Sequence, residues 1–248
     1  MKRAAILLLF LLVLPGAAMA AGIDFTVAPG EIDIDALYNG TTVTVEGKVP
    51  DGSQVVLRFT GKAGEVHMKQ KGKFMGFLWM NMNALTFEHV PAVCLVESSA
   101  DLSGLGATGA KLGLTGVAET FAIEPATADR TLLLPEFLKL KRSEGLYREA
   151  SGAVKLGEAE GGLRAFSAQV AIPSRLSPGS YVLEAFAVKD GQVTAQGSAP
   201  VNVRLIGIPA MLADLAFNHG AWYGILASII AILSGLAIGM VFQSKGAH

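Results

Sequence analysis

Apolar and polar positions alternate through much of the first hundred residues. Thr41–Val49 (TTVTVEGKV) interleaves β-branched with small or polar residues and stops at Pro50-Asp51-Gly52. In such a turn proline presets φ and glycine supplies a positive one. Gln54–Thr60 (QVVLRFT) follows and ends at Gly61, and Glu65–Gln70, Phe74–Met82 and Ala92–Glu97 continue the series. Short strands at intervals of roughly ten residues, separated by Gly and Pro, predict an antiparallel sandwich.

The pattern changes over residues 101–152, where Leu, Ala, Glu and Lys dominate and β-branched residues thin out. Leu102–Phe121 reads as an irregular, Gly-rich helical stretch. Pro135–Ala150 reads as a better helix, with Pro135 in the first turn and Gly152 just past the end. Strand signals return in Leu163–Ile172, Ser180–Val188 and Gln192–Leu205, the last two joined by Lys189-Asp190-Gly191, a strong hairpin signal. A strand, a Pro-Gly corner, a Tyr-bearing strand and a final hairpin match the closing strands of an immunoglobulin-like sandwich. The expected fold is therefore mainly β: one immunoglobulin-like antiparallel β-sandwich over residues 21–206, interrupted by a helical insertion at 101–152.

Beyond it the chain turns apolar. Residues 207–218 predict an amphipathic helix lying at a membrane–water interface, with Met211, Leu212, Leu215 and Phe217 among its apolar residues. From Ala221 to Phe242 no charged residue occurs. A helix of that length spans roughly 33 Å, enough for the hydrocarbon core of a bilayer. Trp222 and Tyr223 open it at the level where amphipathic rings collect. Residues 219–242 are thus the predicted transmembrane helix.

The first 20 residues carry the marks of a signal peptide. Lys2 and Arg3 precede an apolar run from Ala4 to Leu14, and Ala18-Met19-Ala20 fits the small-x-small cleavage rule. Residues 21–206 are then exported and the C-terminal helix stops transfer. The expected topology is single-pass type I in the bacterial inner membrane, with the bulk of the chain in the periplasm and residues 243–248 in the cytoplasm. The 51% hydrophobic content is accounted for largely by the two apolar ends. Of 20 basic residues Lys2, Arg3 and Lys245 lie outside the part between those ends, which holds all 21 acidic ones. A middle part acidic by four charges argues against nucleic acid as a partner.

Three constellations could carry function. His67, Met68, Met80, Met82 and His89, with Met75 and Cys94 nearby, supply soft and imidazole donors suited to Cu(I), so copper is the alternative to having no cofactor. Alternate methionines also simply fill an apolar face. Lys69, Lys71 and Lys73, in phase with His67, would form a cationic stripe for anions or lipid headgroups, provided the strand runs to Phe74. Lysines so spaced also guard edge strands. Ala227, Ala231, Gly235 and Gly239 place small side chains along one stripe of the membrane helix, a face on which a second copy or another membrane helix could pack. Cys94 is the only cysteine, so no intrachain disulfide forms. No GxSxG, HExxH, P-loop or GxGxxG in a strand–helix setting is present, and the expectation is a protein that is not an enzyme.

Four segments carry a resemblance: Lys71–Asn81 (KGKFMGFLWMN), Phe87–Val93 (FEHVPAV), Pro173–Phe186 (PSRLSPGSYVLEAF) and Gly207–Ala227 (GIPAMLADLAFNHGAWYGILA). In this order they resemble the Alph_Pro_TM family of bacterial single-span transmembrane proteins. The resemblance brings no activity and no catalytic residues. It implies an accessory or adaptor role beside an inner-membrane protein, a transporter that exports anions of the sulfite or organosulfur type.

Overall fold

The computed structural model describes residues 21–243. The signal peptide read at 1–20 and the tail residues 244–248 lie outside the described residues.

Two sheets face each other across one core. The first is antiparallel throughout, ordered β2 (Phe25–Ala28), β4 (Thr41–Pro50), β12 (Leu163–Ile172), β11 (Lys155–Glu160). The second runs β1 (Ala21–Gly22), β14 (Gln192–Leu205), β13 (Gly179–Lys189), β5 (Gln54–Gly61), β8 (Cys94–Ser98), β10 (Tyr147–Ser151), with β3 (Glu31–Ile34) also on β14. β1 and β3 join β14 in parallel. This is the A-B-E-D sheet of an immunoglobulin sandwich facing an A′-G-F-C-C′ sheet. Val43, Val45, Phe166 and Val170 of one sheet meet Leu57, Phe59, Leu183 and Val201 of the other. Burial alternates cleanly along β12, so LRAFSAQVAI has one wet face. Tyr181, at the start of β13, donates its hydroxyl to the Ser177 carbonyl at 2.8 Å and stacks on Phe59, a tyrosine corner. The β13–β14 turn has Asp190 at φ 52° and Gly191 at φ 73°. Both central residues being left-handed marks a type I′ turn, whose twist suits a hairpin.

The second sheet is covered on its outer face as well. Val56, Cys94, Val96, Tyr147, Phe186 and Val188 lie under a 3-10 turn (Leu102–Leu105) and three helices, α1 (Gly106–Leu112), α2 (Leu114–Glu119) and α3 (Arg130–Ser143). A third, separate sheet completes this layer: β6 (Ala63–Phe74), β7 (Leu78–Pro91) and β9 (Ala122–Glu124). Burial on both faces is why QVVL, CLV and AFAV run apolar without alternating.

Three expectations are corrected here. Glu65–Gln70 and Phe74–Met82 are not sandwich strands; they belong to the long β6–β7 hairpin, and Met75 (φ 52°) and Gly76 (φ 82°) turn the chain inside the second of them. The helix expected at Pro135–Ala150 is α3, five residues earlier, because Asp129 caps it by accepting from the Thr131 and Leu132 amides. Pro135 lies inside it. Gly145 (φ 75°) ends α3 rather than interrupting it: its amide bonds the Arg142 carbonyl and that of Leu146 bonds Lys141, the double bond of a Schellman motif. Finally, the insertion is not wholly helical, since Tyr147–Ser151 is strand β10, parallel to β8.

Among the described residues Glu97, on β8 between β5 and β10, is the buried carboxylate, 3% exposed. It pairs with Arg148 at 2.9 Å, while its Oε2 has no partner. Burial pushes its pKa above 4.5, against the opposing pull of Arg148. Because the folded state holds this proton more tightly, the unfolded chain releases it first as pH rises, and stability falls upward from about pH 4.5. Unfolding free energies across that window should show wild type losing stability relative to Glu97→Gln; a flat difference would contradict the account.

α4 (Gly207–Asn218) has no buried residue, and α5 (Gly220–Gln243) follows it. Within α5, Gly220–Met240 has a mean hydropathy of 2.1 and no buried share, a helix long and apolar enough to cross a membrane.

Candidate functional site

The β6–β7 hairpin is built in two halves. In its base, Val66 and Met68 of β6 and Leu85, Phe87 and Val90 of β7 turn inward onto the helical layer. Phe87 stacks on Phe137 of α3 with ring centroids 4.4 Å apart. β9 pairs with this part alone, from Thr86 to Glu88. Beyond it the hairpin is two-stranded and leaves the body of the domain. Met75, Phe77, Leu78, Trp79, Met80 and Met82 are all exposed there, Phe77 at 76% and Trp79 at 64%.

The opposite phase of β6 carries the cations. The strand persists to Phe74, opposite Leu78, so His67, Lys69, Lys71 and Lys73 share one face. Lys73 registers with Trp79 and its ammonium sits 5.3 Å from the ring centroid. His67 Nδ1 lies 3.0 Å from the Thr86 hydroxyl. From residue 66 to residue 87 the sequence has no acidic residue. A bulge at Met82 shifts the register between Gln70 and Lys71. The side chain of Met82 covers Gly72, where a Cβ would come 2.7 Å from its Cγ. Glycine is needed there for that close approach rather than to break the strand.

The soft donors are not brought together as one set. Met80 registers opposite Gly72, which Met82 covers, so these two share a neighbourhood. Met68 lies four residues back along β6, about 13 Å at the rise of a strand, and turns to the face opposite His67. His89 (φ 60°) sits in a second bulge at the base of the hairpin. Cys94 belongs to the sandwich, buried against the helical layer, and burial pushes its thiol up to about 12, far from the thiolate range. Among the described residues no three His, Cys, Asp or Glu side chains cluster as metal ligands.

In α5 the residues Ala227, Ala231, Gly235 and Gly239 are exposed, and a Cβ built at Gly235 or Gly239 would meet nothing within 4 Å. The face is open. α4 adds apolar exposure at Ile208, Met211, Leu212 and Phe217, with Asp214 its one charged residue.

A family model described as "Putative transmembrane protein (Alph_Pro_TM)" matches residues 23–244. The chain belongs to this family. The Alph_Pro_TM match takes in the sandwich, the hairpin and α5 together, so the exposed apolar helix is part of what defines the family rather than an appendage. No curated protein matches the chain.

The exposed apolar tip is the feature that pattern reading missed. Its signal was present as FMGFLWM, an apolar run with a glycine inside it between alternating flanks. Read as one strand the run looks like core; read as two strand ends and a turn it cannot be.

Proposed function

We propose that the protein is a single-span type I accessory or adaptor subunit, not an enzyme, of another inner-membrane protein. Its sandwich would lie in the periplasm and its C-terminus in the cytoplasm. The partner would be a transporter, of the anion-exporting kind to which the family resemblance points. The observation that carries this reading is the open small-residue face of α5, which touches nothing in the chain itself. Without a hydrophobic drive between helices in lipid, such faces let backbones approach closely enough for packing to hold them together.

The test is a mild-detergent pull-down of the full chain from its native membrane, run beside a Gly235→Leu/Gly239→Leu variant. A polytopic membrane protein should copurify with wild type and be lost from the variant. Recovery of the chain alone in both samples would sink the adaptor reading. Recovery of a second copy through the same face would replace it with self-association.

A further inference from the structure

Among the described residues, large apolar side chains are exposed chiefly in two places, the β6–β7 tip and the run from Ile206 to Phe242; elsewhere only isolated positions such as Leu37 and Leu163 are exposed. The two places issue from the same end of the sandwich. Gly61 registers with Tyr181 and Tyr181 with Val201, so β5 and β14 both run toward that end. The chain leaves β5 there to form the hairpin, and leaves β14 there to enter α4 and α5. β6 has 12 residues, roughly 36–40 Å of strand, whereas the 12 residues of α4 put at most about 18 Å between the sandwich and α5. By length, the hairpin is able to reach a bilayer surface that α4 holds off from the same end of the sandwich.

We infer that the tip of the β6–β7 hairpin is a second membrane contact, seated in the headgroup layer of an anionic phospholipid bilayer. Its chemistry fits that occupant better than a protein groove. Trp79 lies on the lysine face and Leu78 and Met80 on the other, so each face of the tip presents exposed apolar side chains, and lipid can surround both while a groove would take one. Trp and Phe at the tip with Lys set behind it repeat the order found at membrane interfaces, where rings sit among headgroups and lysines reach phosphates. The domain overall is acidic, yet the segment 66–87 is purely cationic, which matches an anionic surface. Depth is limited by the backbone. Past β9 the hairpin has two open edges, and unpaired peptide groups are not tolerated in the hydrocarbon core, so the tip stops at the interface. With α5 as the other contact, the sandwich would be held in one orientation instead of swinging on α4.

The inference rests on α5 crossing the bilayer and not on any partner, so it can be tested without one. Trp79 and Trp222 are the only tryptophans. The full chain carrying Trp222→Phe is reconstituted into vesicles of phosphatidylcholine with phosphatidylglycerol. Trp79 emission should shift to the blue and be quenched by lipids brominated near the headgroup end of the acyl chain, more than by lipids brominated near its terminus. Lys69→Gln/Lys71→Gln/Lys73→Gln should weaken that quenching, since each lysine at an anionic surface is worth roughly a fivefold change in the docked-to-undocked ratio. Phe77→Ser/Leu78→Ser should remove it while leaving the unfolding midpoint unchanged, both side chains being exposed. A Trp79 that is quenched by aqueous acrylamide and not by brominated lipid would overturn the inference. A Trp79 shielded from both would overturn it equally, placing the tip against another copy of the chain.

Discussion

Phe137→Ala should lower the unfolding free energy by about 3–5 kcal/mol, the range for removing a buried phenylalanine. Phe137 is 2% exposed, stacks on Phe87 of β7 at 4.4 Å and meets Phe121 edge-on at 5.8 Å. One ring thus joins the hairpin base, α3 and the segment that follows α2. No neighbour is placed to fill the space, because Phe87 is fixed by its strand and Phe121 by the turn bonding its amide to Ala118. Against a domain stability of about 5–15 kcal/mol the loss is severe. It should appear as a lower urea midpoint of the full chain in detergent, read by near-UV circular dichroism. Trp79→Ala, at the exposed end of the same hairpin, should stay within about 0.5 kcal/mol of wild type. Equal losses from the two would mean that the tip packs on the domain after all.

The contrast between base and tip also explains what could be read from the chain. The sandwich was legible wherever a strand had one wet face. LRAFSAQVAI alternates along β12, and Lys189-Asp190-Gly191 marks its hairpin by local backbone chemistry alone. The mainly β class and the single apolar C-terminal helix followed from such local signals. Burial on two faces was not legible. Strands covered both by the opposite sheet and by helices lose their period, and nothing in QVVLRFT says what lies over its outer side. The same loss hid the third sheet, whose base packs on the sandwich's helical cover and so resembles one more sandwich strand. α3 was misplaced because proline is a louder signal than aspartate, yet the cap made by Asp129 satisfies two amides that Pro135 could not have served at its own position.

The site followed the same rule. Lys69, Lys71 and Lys73 share a face as a period of two requires, and Lys73 stays on the strand although glycine precedes it. The methionines were harder. Period two treats Met68, Met80 and Met82 as interchangeable donors, but a turn at Met75-Gly76 and a bulge at Met82 decide where each sulfur goes. Neither is visible until strand pairing is known. The stripe of Ala227, Ala231, Gly235 and Gly239 needed only a helix, and α5 supplies one.

A double change in α5, Ile229→Arg/Leu233→Arg, should release the chain from the membrane, whereas Ile229→Arg alone should not. Ten Ile, Leu, Val and Phe residues lie between Ala221 and Phe242. Each favours insertion by about 0.3–0.6 kcal/mol, while an arginine near the helix centre costs about 2.5–3.5 kcal/mol. One arginine leaves nine apolar residues worth about 3–5 kcal/mol, enough to hold the helix in place. Two leave eight, worth about 2–5 kcal/mol, against a cost of about 5–7 kcal/mol, and the balance changes sign. Carbonate extraction of membranes should leave the single variant in the pellet and move the double variant to the supernatant. Gly235→Leu/Gly239→Leu must stay in the pellet, since leucine only adds apolar surface. That separation gives the pull-down its meaning: a partner lost from an anchored variant is lost through the packing face, not through loss of the membrane. If the double-arginine chain stays bound to anionic membranes but washes off in salt, the residual hold is electrostatic. The cationic hairpin is then the element that remains to supply it.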